Sequence, residues 1–406
     1  MHSIIILTQY YPPETGAPQN RLHSLSKFLV AKGIDVTIVT AMPNYPKNEI
    51  FPSYRGKYSV RESIDEVSVY RTWIFVSASR GVVSRLLNYF SFVITSFFKM
   101  LQLPKAEFIV CESPPLFLGM TAVLIAKLKG SKLIFNVSDL WPESAEKLNI
   151  INNQFLISLA YRLESWIYKN SFLISGQTKG IVRNIQQRFP EKKVVWFPNG
   201  VDIDFFEGEH EAMDWKAKVQ LPVENMMVLY AGIIGHAQGL EVIIQAAESV
   251  KLSPVSFVIV GDGPEKNKLV TMTHEKGLKN VYFLPNLEKA KIPSLIKACD
   301  AYIVPLLKLD LFKGAIPSKL FEPLSMGKPI LLGVDGEAKE LFIDEGNGGL
   351  FFEPENSEAL TQGVLALLQD KSLRLALGES GKKYVKTNFD RQNIHKHFLT
   401  DLEINL

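Results

Sequence analysis

Several loops of the sequence combine glycine with polar and charged residues in a way that suits a phosphorylated ligand. Residues 10–21, YYPPETGAPQNR, follow an apolar run and lead into a helical pattern. A glycine there lets backbone amides come close to an anion, and the helix dipole favours negative charge at that end. We therefore predict that Gly16 and Ala17 contact a phosphate or a departing oxygen, with Glu14 and Arg21 at the edge. A plain turn before an ordinary helix explains the same residues.

A second glycine turn of this kind occupies residues 230–241, YAGIIGHAQGLE. Gly232 permits a ligand to approach the backbone closely, and His236 and Gln238 can donate hydrogen bonds to phosphate oxygens. A solvated loop histidine is an equal alternative. The segment VGDGPE, which contains Gly263, is another short turn of the same type.

The segment 313–329, KGAIPSKLFEPLSMGKP, is the most informative part of the chain. Pro317 opens a short helix, and Ser318 and Glu322 share one of its faces because they are four residues apart. A lysine at a helix N-terminus, here Lys319, suits a pyrophosphate, and a carboxylate one turn later suits the vicinal hydroxyls of a ribose. A capping serine and a surface glutamate are the alternative interpretation.

One acidic pair imitates a metal site. Asp202 and Asp204 follow the turn at Asn199 in the loop FPNGVDIDFF. Two acids in a turn, with no histidine or acidic cluster nearby in sequence, are typical of solvated or capping side chains. The sequence therefore predicts no metal.

The elements that position these loops alternate between strand-like and helical patterns along the chain. The first half contains the apolar runs SIIILTQ, DVTIVTA, FIVCESP and KLIFNVSD, and the second half contains MMVLYAG, VSFVIVGDG, VYFLPN and AYIVPL. Runs that are apolar throughout are typical of parallel strands with both faces buried. We predict two doubly wound α/β sheets, with ligands bound beyond the carboxyl ends of the strands.

The length of 406 residues exceeds what one hydrophobic core usually spans, so two domains are expected. We place a first Rossmann-like domain at residues 1–200, a linker at 201–222 and a second Rossmann-like domain at 223–388. A C-terminal helix over 389–406 is expected to cross back to the first domain. The two domains are predicted to face each other across a cleft.

Charge is distributed unevenly between the two halves. Residues 1–200 contain 23 Lys and Arg against 13 Asp and Glu, whereas the remainder contains 22 against 29. A basic first half attracts anionic surfaces. Because the basic residues are scattered and no nucleic-acid-binding motif is present, we expect no nucleic-acid partner. Cys111 and Cys299 lack ligand spacing and fit the reduced thiols of a cytoplasmic protein.

An uncharged run, LLNYFSFVITSFF at residues 86–98, points to a membrane as the anionic surface. It is too short to span a bilayer, which needs about 20 apolar residues. An interfacial helix and an ordinary buried helix both fit it. The basic residues that flank the run favour the membrane, and these are Arg80, Arg85, Lys99 and Lys105.

Taken together and in order, the motifs resemble the GT-B glycosyltransferases of the group 1, or family 4, type. The resemblance covers nearly the whole chain and rests on YYPPETGAPQNRL, MPNYP, SDLWPES, PNGVD, YAG with QGLE five residues later, VGDGPE and IPSKLFEPLSMGKPI. Within that family the sequence is similar to the O-antigen and capsule branch that includes L-fucosamine transferases. The resemblance implies retaining transfer of a sugar, such as an N-acetylated deoxyhexose or a sugar similar to N-acetylglucosamine, to a lipid-diphosphate-linked saccharide.

The resemblance also implies roles for residues. A UDP-sugar would be held by the second domain, with Glu322 on the ribose, Ser318 and Lys319 near the phosphates, and residues 285–287 beside the base. Asp139 and Glu143 would face the acceptor and the sugar, although an N-cap explains Asp139 as well. The implied donor set is Gly16, Ala17, Asn199, Gly232, His236, Gln238, Gly263, Pro285, Asn286, Leu287, Lys313, Gly314, Pro317, Ser318, Lys319 and Glu322. The implied acceptor set is Glu14, Arg21, Asn44, Tyr45 and Asp139, and the implied catalytic set is Gly16, Asp139, Glu143 and Lys319.

No metal or other cofactor is implied, and the enzyme is expected to lie in the cytoplasm on the inner face of a bacterial plasma membrane. The sequence departs from the wider family at three positions. Gly314 replaces a glutamate, Ile233 replaces an arginine and Gln238 replaces a lysine. Lys313, Lys308 or His236 is expected to supply the positive charge that the family's arginine and lysine would provide. An epimerase or hydrolase of the same fold and a catalytically silent assembly partner remain alternatives.

Overall fold

The computed structural model describes residues 2–46, 48–77, 81–147 and 153–404. The chain divides into two compact units. The first contains the residues up to Asn199 together with those from Ile394 onward, and the second is Gly200–Asn393. Each unit is built on one mostly or wholly parallel sheet whose strands alternate with helices. The predicted pair of doubly wound α/β domains is therefore confirmed.

The sheet of the first unit has the strand order β3-β4-β2-β1-β5-β6-β7-β8. Its strands are β1 (Ser3–Leu7), β2 (Asp35–Ala41), β3 (Ser59–Ile64), β4 (Val67–Thr72), β5 (Phe108–Ser113), β6 (Lys132–Val137), β7 (Leu173–Gly176) and β8 (Val194–Trp196). Neighbouring strands are parallel except for β3 and β4, which are antiparallel. This pair has no clear signal in the sequence, because the edge strand β3 alternates exposed and half-buried residues and lacks an apolar run.

Alternate residues of the central strands enter two different apolar layers. Ile4 and Ile6 of β1 pack in one core cluster, whereas Ile5 and Leu7 pack in the other. Successive strand residues point to opposite faces of a sheet. Burial of both faces therefore explains why this strand reads as an unbroken apolar run.

The helices of the first unit surround this sheet. They are α1 (Ala17–Ala31), α2 (Val82–Gln102), α3 (Leu118–Lys129), α4 (Glu143–Lys147), α5 (Gln154–Asn170) and α6 (Lys179–Arg188). The uncharged run 86–98 lies inside α2. Within the described ranges, no helix is both long enough and apolar enough to cross a membrane. Arg80, one of the predicted basic flanks, lies outside the described residues.

The sheet of the second unit is parallel throughout, with the order β11-β10-β9-β12-β13-β14. Its strands are β9 (Met226–Ala231), β10 (Val255–Val260), β11 (Val281–Leu284), β12 (Ala301–Pro305), β13 (Ile330–Gly333) and β14 (Gly349–Phe351). Its helices are α7 (Ile203–Glu207), α8 (Trp215–Val219), α9 (Glu241–Ser249), α10 (Lys266–Glu275), α11 (Ile292–Ala298), α12 (Phe321–Ser325), α13 (Glu337–Lys339), α14 (Ser357–Gln369) and α15 (Lys371–Asn388). The last helix, α16 (Arg391–Asp401), starts at the end of this unit.

The segment 201–222, predicted as a linker, lies within the second unit and contains α7 and α8. Phe206 and Trp215 are buried there, and the Trp215 indole donates a hydrogen bond to Ser294 at 3.0 Å. The segment is polar overall, so its composition does not indicate that these two aromatic side chains are buried. At the other end of the chain, Phe398 of α16 packs on Phe197 of the first unit, with ring centroids 4.5 Å apart.

The strand order reverses once in each sheet. In the first sheet the reversal lies between β1 and β5, and in the second it lies between β9 and β12. Open parallel sheets bind ligands beyond the carboxyl ends of the strands at this point. The loops after β1 and after β9 and β12 therefore follow strands at the two reversals, and other candidate residues lie in the loops after β2, β6, β10 and β11.

Candidate active site

The glycines of the second unit bring bare backbone to the carboxyl edge of its sheet. Gly232, directly after β9, and Gly263, after β10, have φ values of 148° and 157°. A Cβ at Gly263 would lie 2.2 Å from the carbonyl oxygen of Ile234. A Cβ at Gly232 would lie 3.3 Å from the Lys319 amine. Any side chain would therefore crowd the loop at Gly263 and the lysine at Gly232.

Lys319 is held at this edge by Tyr230, which lies two residues before Gly232 in the sequence. The Lys319 Nζ donates a hydrogen bond to the Tyr230 hydroxyl at 2.8 Å and lies 4.4 Å from the centre of its ring. That hydroxyl in turn donates to the Ile233 carbonyl at 2.6 Å, so its orientation is fixed. Burial lowers the pKa of Lys319 from 10.5 to about 8, although the charge of Glu322 opposes this shift. Tyr230 thus positions a partly desolvated amine next to Gly232.

Glu322 provides the carboxylate of the same region. The residue is half-buried, and within the described residues no hydrogen bond to its carboxylate is found. Burial raises its pKa, while the charges of Arg391, Lys289 and Lys319 lower it. A half-buried acceptor without a protein donor is suited to the hydroxyls of a ligand.

The remaining predicted donor residues lie in the loops that follow the same row of strands. Gln238 accepts a hydrogen bond from the Gly235 amide at 3.2 Å, so its side chain serves its own loop, whereas His236 beside it is exposed. The other predicted donor residues of this unit are exposed or half-buried, and they are Pro285, Asn286, Leu287, Lys313, Gly314, Pro317 and Ser318.

Two lysines that were candidates for the missing cation are engaged elsewhere. Lys308 pairs with Glu353 at 2.5 Å, and Lys313 pairs with Asp310 at 2.8 Å. All four side chains are well exposed. Lys319 is the better candidate, because it lies beside Gly232 and within the described residues has no carboxylate within ion-pairing distance.

In the first unit, the predicted phosphate loop runs from β1 to the start of α1. Gly16 precedes α1 in an extended conformation, with φ 172° and ψ 170°, and no side chain caps the helix there. Gly16 and Ala17 are half-buried. Since extended backbone is open to any residue, conformation alone does not require glycine at position 16.

Glu14 connects this loop to the loop after β2 through hydrogen bonds to its carboxylate. Its carboxylate accepts hydrogen bonds from the backbone amides of Tyr11 at 3.2 Å and of Asn44 and Tyr45 at 2.8 Å each. Burial raises the pKa of Glu14, although these three amides lower it. The Asn44 side chain is also buried and donates to the Met42 carbonyl at 2.9 Å. In this arrangement Glu14 and Asn44 shape the loops, and Tyr45 alone of the three presents its side chain partly to solvent.

Arg21 differs from its predicted place at the edge of the site, because its side chain is fully buried. It pairs with Glu112 at 2.7 Å and donates to Ser138 and Asn199 at 2.9 Å each. Glu112 also accepts from Asn136 at 2.7 Å. The side chains of Arg21 and of the predicted Asn199 therefore belong to a polar network under the ends of β5 and β6, which supports the loop that follows.

Asp139 lies on that loop, and Glu143 is the first residue of α4, which follows it. Ser144 donates a hydrogen bond to Asp139 at 2.8 Å, and although the residue is exposed, desolvation of its carboxyl raises the pKa. Glu143 is half-buried and pairs with Lys147 at 2.6 Å. Both carboxylates therefore have protein partners, and Asp139 is the less engaged of the two.

One cavity of the first unit was missed by the sequence analysis. It has a volume of about 320 Å³ and opens beside the loops after β1 and β2. Tyr45 is the only predicted site residue among its walls, which are Tyr10, Tyr45, Pro46, Asn48, Val76, Ser77, Ser84, Arg85, Asn88 and Tyr89. Its α2 side chains lie within or directly before the run 86–98, for which the sequence left an interfacial helix and an ordinary buried helix open.

Exposed apolar side chains of the first unit are found on α2, which contains the predicted membrane-binding run, and on two further helices. Exposed apolar side chains follow α2 at helical spacing, and others lie on α3, which packs against both α2 and α5, and on α5 itself. The exposed apolar side chains of this face are Val83, Leu86, Leu87, Phe90, Ile94, Phe98 and Leu101 on α2, Leu124 and Leu128 on α3, and Phe155, Leu156 and Leu159 on α5. We call this set the apolar face.

Two further observations concern alternatives. A larger cavity of about 670 Å³ lies in the second unit between the 206–213 segment and α11, and contains none of the predicted donor residues. Within the described residues, no group of three or more potential ligands could hold a metal ion. Asp202, half of the acidic pair, accepts from the Phe205 amide and so caps α7.

Comparison with known proteins decides the family. The model "Glycosyl transferase 4-like domain" matches residues 16–200, and "Glycosyl transferases group 1" matches residues 212–384. The chain belongs to the group 1 glycosyltransferases. This glycosyltransferase is similar to WcaI of Escherichia coli (strain K12), a proposed colanic acid biosynthesis glycosyl transferase. The identity is 27% over 410 residues, which covers 98% of this chain and 99% of WcaI.

Two other similar proteins have names that mention a substrate or a bound ligand. One is the N-acetylgalactosamine-N,N'-diacetylbacillosaminyl-diphospho-undecaprenol 4-alpha-N-acetylgalactosaminyltransferase of Campylobacter jejuni, 25% identical over 68% of this chain and 71% of that protein. The other is the structure of Anabaena Alr3699/HepE in complex with UDP and glucose. It has a TM-score of 0.72 and 16% identity, and the alignment covers 99% of this chain and 100% of that one. At that identity the likeness shows the GT-B fold alone.

In this glycosyltransferase, two of the residues that depart from the wider family pattern can be compared with their surroundings in the structure. Ile233 is exposed and apolar, and Gln238 is bonded to its own loop, so neither supplies positive charge. Lys319 places an amine against Gly232 from a different part of the chain. The sequence alone does not show that Lys319 lies beside Gly232, because the two residues are 87 positions apart.

Proposed function

We propose that this glycosyltransferase transfers a sugar, with retention of configuration, from a UDP-sugar to a lipid-diphosphate-linked saccharide in bacterial polysaccharide biosynthesis. The observation that carries the proposal is the cluster of Gly232, Lys319 and Glu322 at the switch point of the second sheet. A desolvated amine beside bare backbone suits a diphosphate, and a nearby free carboxylate suits a ribose.

In this proposal Lys319 stabilises the negative charge that develops on the departing UDP. The bond between the sugar anomeric carbon and the diphosphate oxygen breaks, the acceptor hydroxyl attacks from the same face, and its proton passes to the departing diphosphate. A hydrogen-bond donor preorganised at a developing charge is among the strongest contributions to catalysis. Tyr230 supplies that preorganisation, since its hydroxyl holds the amine without neutralising it.

The similar proteins support the substrate classes. The Campylobacter jejuni relative is named for a diphospho-undecaprenol-linked saccharide, and the Anabaena protein was solved with UDP. We infer an N-acetylated deoxyhexose such as N-acetyl-L-fucosamine as the transferred sugar, because the motifs resemble that branch. No metal is required in this scheme.

We further propose that the enzyme binds an anionic membrane from the cytoplasmic side through the apolar face. The stripe from Val83 to Leu101 extends about 27 Å along α2 at the helical rise of 1.5 Å per residue. Lys99, Lys105 and Lys127 lie on or beside the same helices, where cationic side chains can reach anionic headgroups. Contiguous exposed apolar surface of this kind marks a membrane or protein contact.

Titration calorimetry and a transfer assay test the proposal. Without added metal, UDP is expected to bind more tightly than GDP or dTDP. A UDP-sugar is expected to label a polyprenyl-diphosphate-linked saccharide, and NMR of the product is expected to show the donor's anomeric configuration. Release of free sugar without an acceptor would favour a hydrolase, and UDP binding without turnover would favour a silent assembly partner.

A further inference from the structure

The segment that follows β4 runs along one border of α2. The Thr95 hydroxyl donates a hydrogen bond to the Trp73 carbonyl at 2.7 Å. The Ser91 hydroxyl accepts one from the Phe75 amide at 2.8 Å, and the Asn88 side chain donates to the Phe75 carbonyl at 2.7 Å. Because these three residues of α2 follow one another at helical spacing, the bonds fix the segment along the helix.

This border lies next to the exposed apolar side chains of α2. Phe98 is three residues after Thr95, so with 3.6 residues per turn it lies about 60° from Thr95 around the helix axis. Ile94, which directly precedes Thr95, lies just beyond Phe98 on the same side, and both apolar side chains are exposed. The backbone of Trp73 is therefore attached at the edge of the apolar face.

Two aromatic side chains are exposed at this edge. Tyr58 continues the pairing of β3 with β4, in which Ser59 lies opposite Thr72, and the Trp73 amide donates to the Tyr58 carbonyl at 3.0 Å. Residues opposite each other in an antiparallel pair point to the same side, and both rings line one small cavity together with Lys57. Tyr58 is 80% exposed and Trp73 is 39% exposed, although tryptophan is highly buried on average.

The polar atoms of these side chains are available to a ligand. Within the part of the chain that the structure describes, the Trp73 indole and the Tyr58 hydroxyl have no hydrogen-bond partner, and the Lys57 amine has no ion pair. The buried Trp215 indole, by contrast, donates to Ser294. Aromatic rings that border exposed hydrocarbon and keep an N–H or O–H for the solvent side are typical of the headgroup level of a bilayer.

We propose that the open end of the β3–β4 hairpin is a second membrane-binding element, with Trp73 and Tyr58 at the level of the lipid headgroups and Lys57 on a lipid phosphate. The inference rests on the membrane contact in the proposed function and goes beyond it. The apolar face supplies hydrophobic attraction, whereas an aromatic anchor along one border sets the depth and the tilt of the first unit. A membrane is favoured over a protein partner, because this edge is continuous with the apolar face and carries an unpaired cation that matches an anionic headgroup.

Tryptophan fluorescence of the full chain on vesicles of phosphatidylcholine and phosphatidylglycerol tests the depth. The vesicles are expected to shift the emission to shorter wavelength. Lipids brominated near the headgroup are expected to quench it more than lipids brominated near the chain end. Most of both effects is expected to disappear in Trp73→Phe. Trp196→Phe is the matched control and is expected to behave like the wild type, because the Trp196 indole donates to the Gln177 carbonyl away from this edge.

Sedimentation with the same vesicles tests the contribution to affinity. Trp73→Ala is expected to weaken vesicle binding about tenfold, because it removes a large side chain from the interface. Tyr58→Ala is expected to weaken it by a smaller factor. Leu252→Ala, at an exposed site of the second unit, is the control and is expected to bind vesicles normally. UDP affinity, measured on the same samples, is expected to be unchanged in all three variants.

Two outcomes separate this inference from the proposed function. Unchanged vesicle affinity in Trp73→Ala together with unchanged quenching in Trp73→Phe, while Phe98→Asp loses vesicle binding, would overturn the aromatic anchor and leave the apolar face in place. A wild type that binds UDP but no vesicles would overturn the membrane contact of the proposed function, and this inference with it.

Discussion

Replacement of Lys319 by methionine is expected to have opposite effects on stability and on ligand binding. Burial lowers the pKa of Lys319 from 10.5 to about 8. One pKa unit corresponds to about 1.4 kcal/mol, so holding the charged amine costs the folded protein up to about 3 kcal/mol below pH 8. Methionine has a similar length and needs no solvation, and Tyr230 keeps its hydrogen bond to the Ile233 carbonyl.

The free energy of unfolding depends on pH because Lys319 has a different pKa in the folded and the unfolded protein. Between pH 8 and 10.5 the unfolded chain binds a proton at this site that the folded chain has lost, so the folded protein gains stability as pH rises. The advantage of Lys319→Met is therefore largest below pH 8 and disappears towards pH 10.5. For UDP, loss of a charge-assisted hydrogen bond is expected to raise the dissociation constant by roughly 10- to 100-fold.

Both effects can be measured on one preparation. Hydrogen exchange in a urea series reports the stability of the second unit separately from the first, and calorimetry reports UDP affinity. Lys276→Met is the control, because Lys276 pairs with Glu248 at 2.5 Å at the end of α10 remote from the carboxyl edge. A Lys319→Met protein that binds UDP as tightly as the wild type would refute the phosphate role. One that is less stable at pH 7 would refute the desolvation argument.

Three further substitutions test other parts of the molecule. Arg21→Ala leaves the buried carboxylate of Glu112 without its counter-ion, so it is expected to destabilise the first unit by about 3 kcal/mol or more. Denaturant unfolding measures this free energy, and a change under about 1 kcal/mol would contradict the expectation. Phe98→Asp is expected to reduce sedimentation with anionic liposomes at low salt, whereas Leu252→Asp, at an exposed site of the second unit, is not; equal effects would exclude the apolar face. Glu322→Gln is expected to weaken UDP about tenfold but to leave 2',3'-dideoxy-UDP unaffected, and a uniform loss would remove the ribose contact.

The fold could be predicted because its signals are local. Each central strand is an apolar run that needs no knowledge of its neighbours, and the order of runs and helices indicates two doubly wound sheets. The opposite holds for the edge strand β3, which no apolar run indicates, and for the segment 201–222, which was predicted as a linker and contains α7 and α8 of the second unit. Their roles depend on a few buried contacts, such as that of Trp215 with Ser294, which composition does not reveal.

The candidate site could be predicted only in part, because residue type does not reveal burial. The predicted residues lie in loops at the carboxyl ends of the strands or in the helices that follow these loops, yet Glu14 and Arg21, which were expected to contact a ligand at the edge of the phosphate loop, are buried. In the folded unit, Arg21 neutralises Glu112 and Glu14 binds three backbone amides. Arg85 shows the converse, since a residue interpreted as a membrane flank lines a cavity. Such distinctions require the distances between elements far apart in sequence.

The lowered pKa of Lys319 leads to one more prediction, which is independent of any substitution. With a pKa of about 8, about half of the Lys319 amines are neutral at pH 8 in the ligand-free protein. A bound diphosphate favours the charged form and raises the pKa, so UDP binding at pH 8 is expected to take up about half a proton. Calorimetry in two buffers of different ionisation enthalpy measures this uptake, which is expected to be near zero at pH 6.5 to 7 for this lysine. Proton uptake that persists at pH 8 in Lys319→Met would assign the titration to another group, and its absence in the wild type would mean that the diphosphate does not contact this amine.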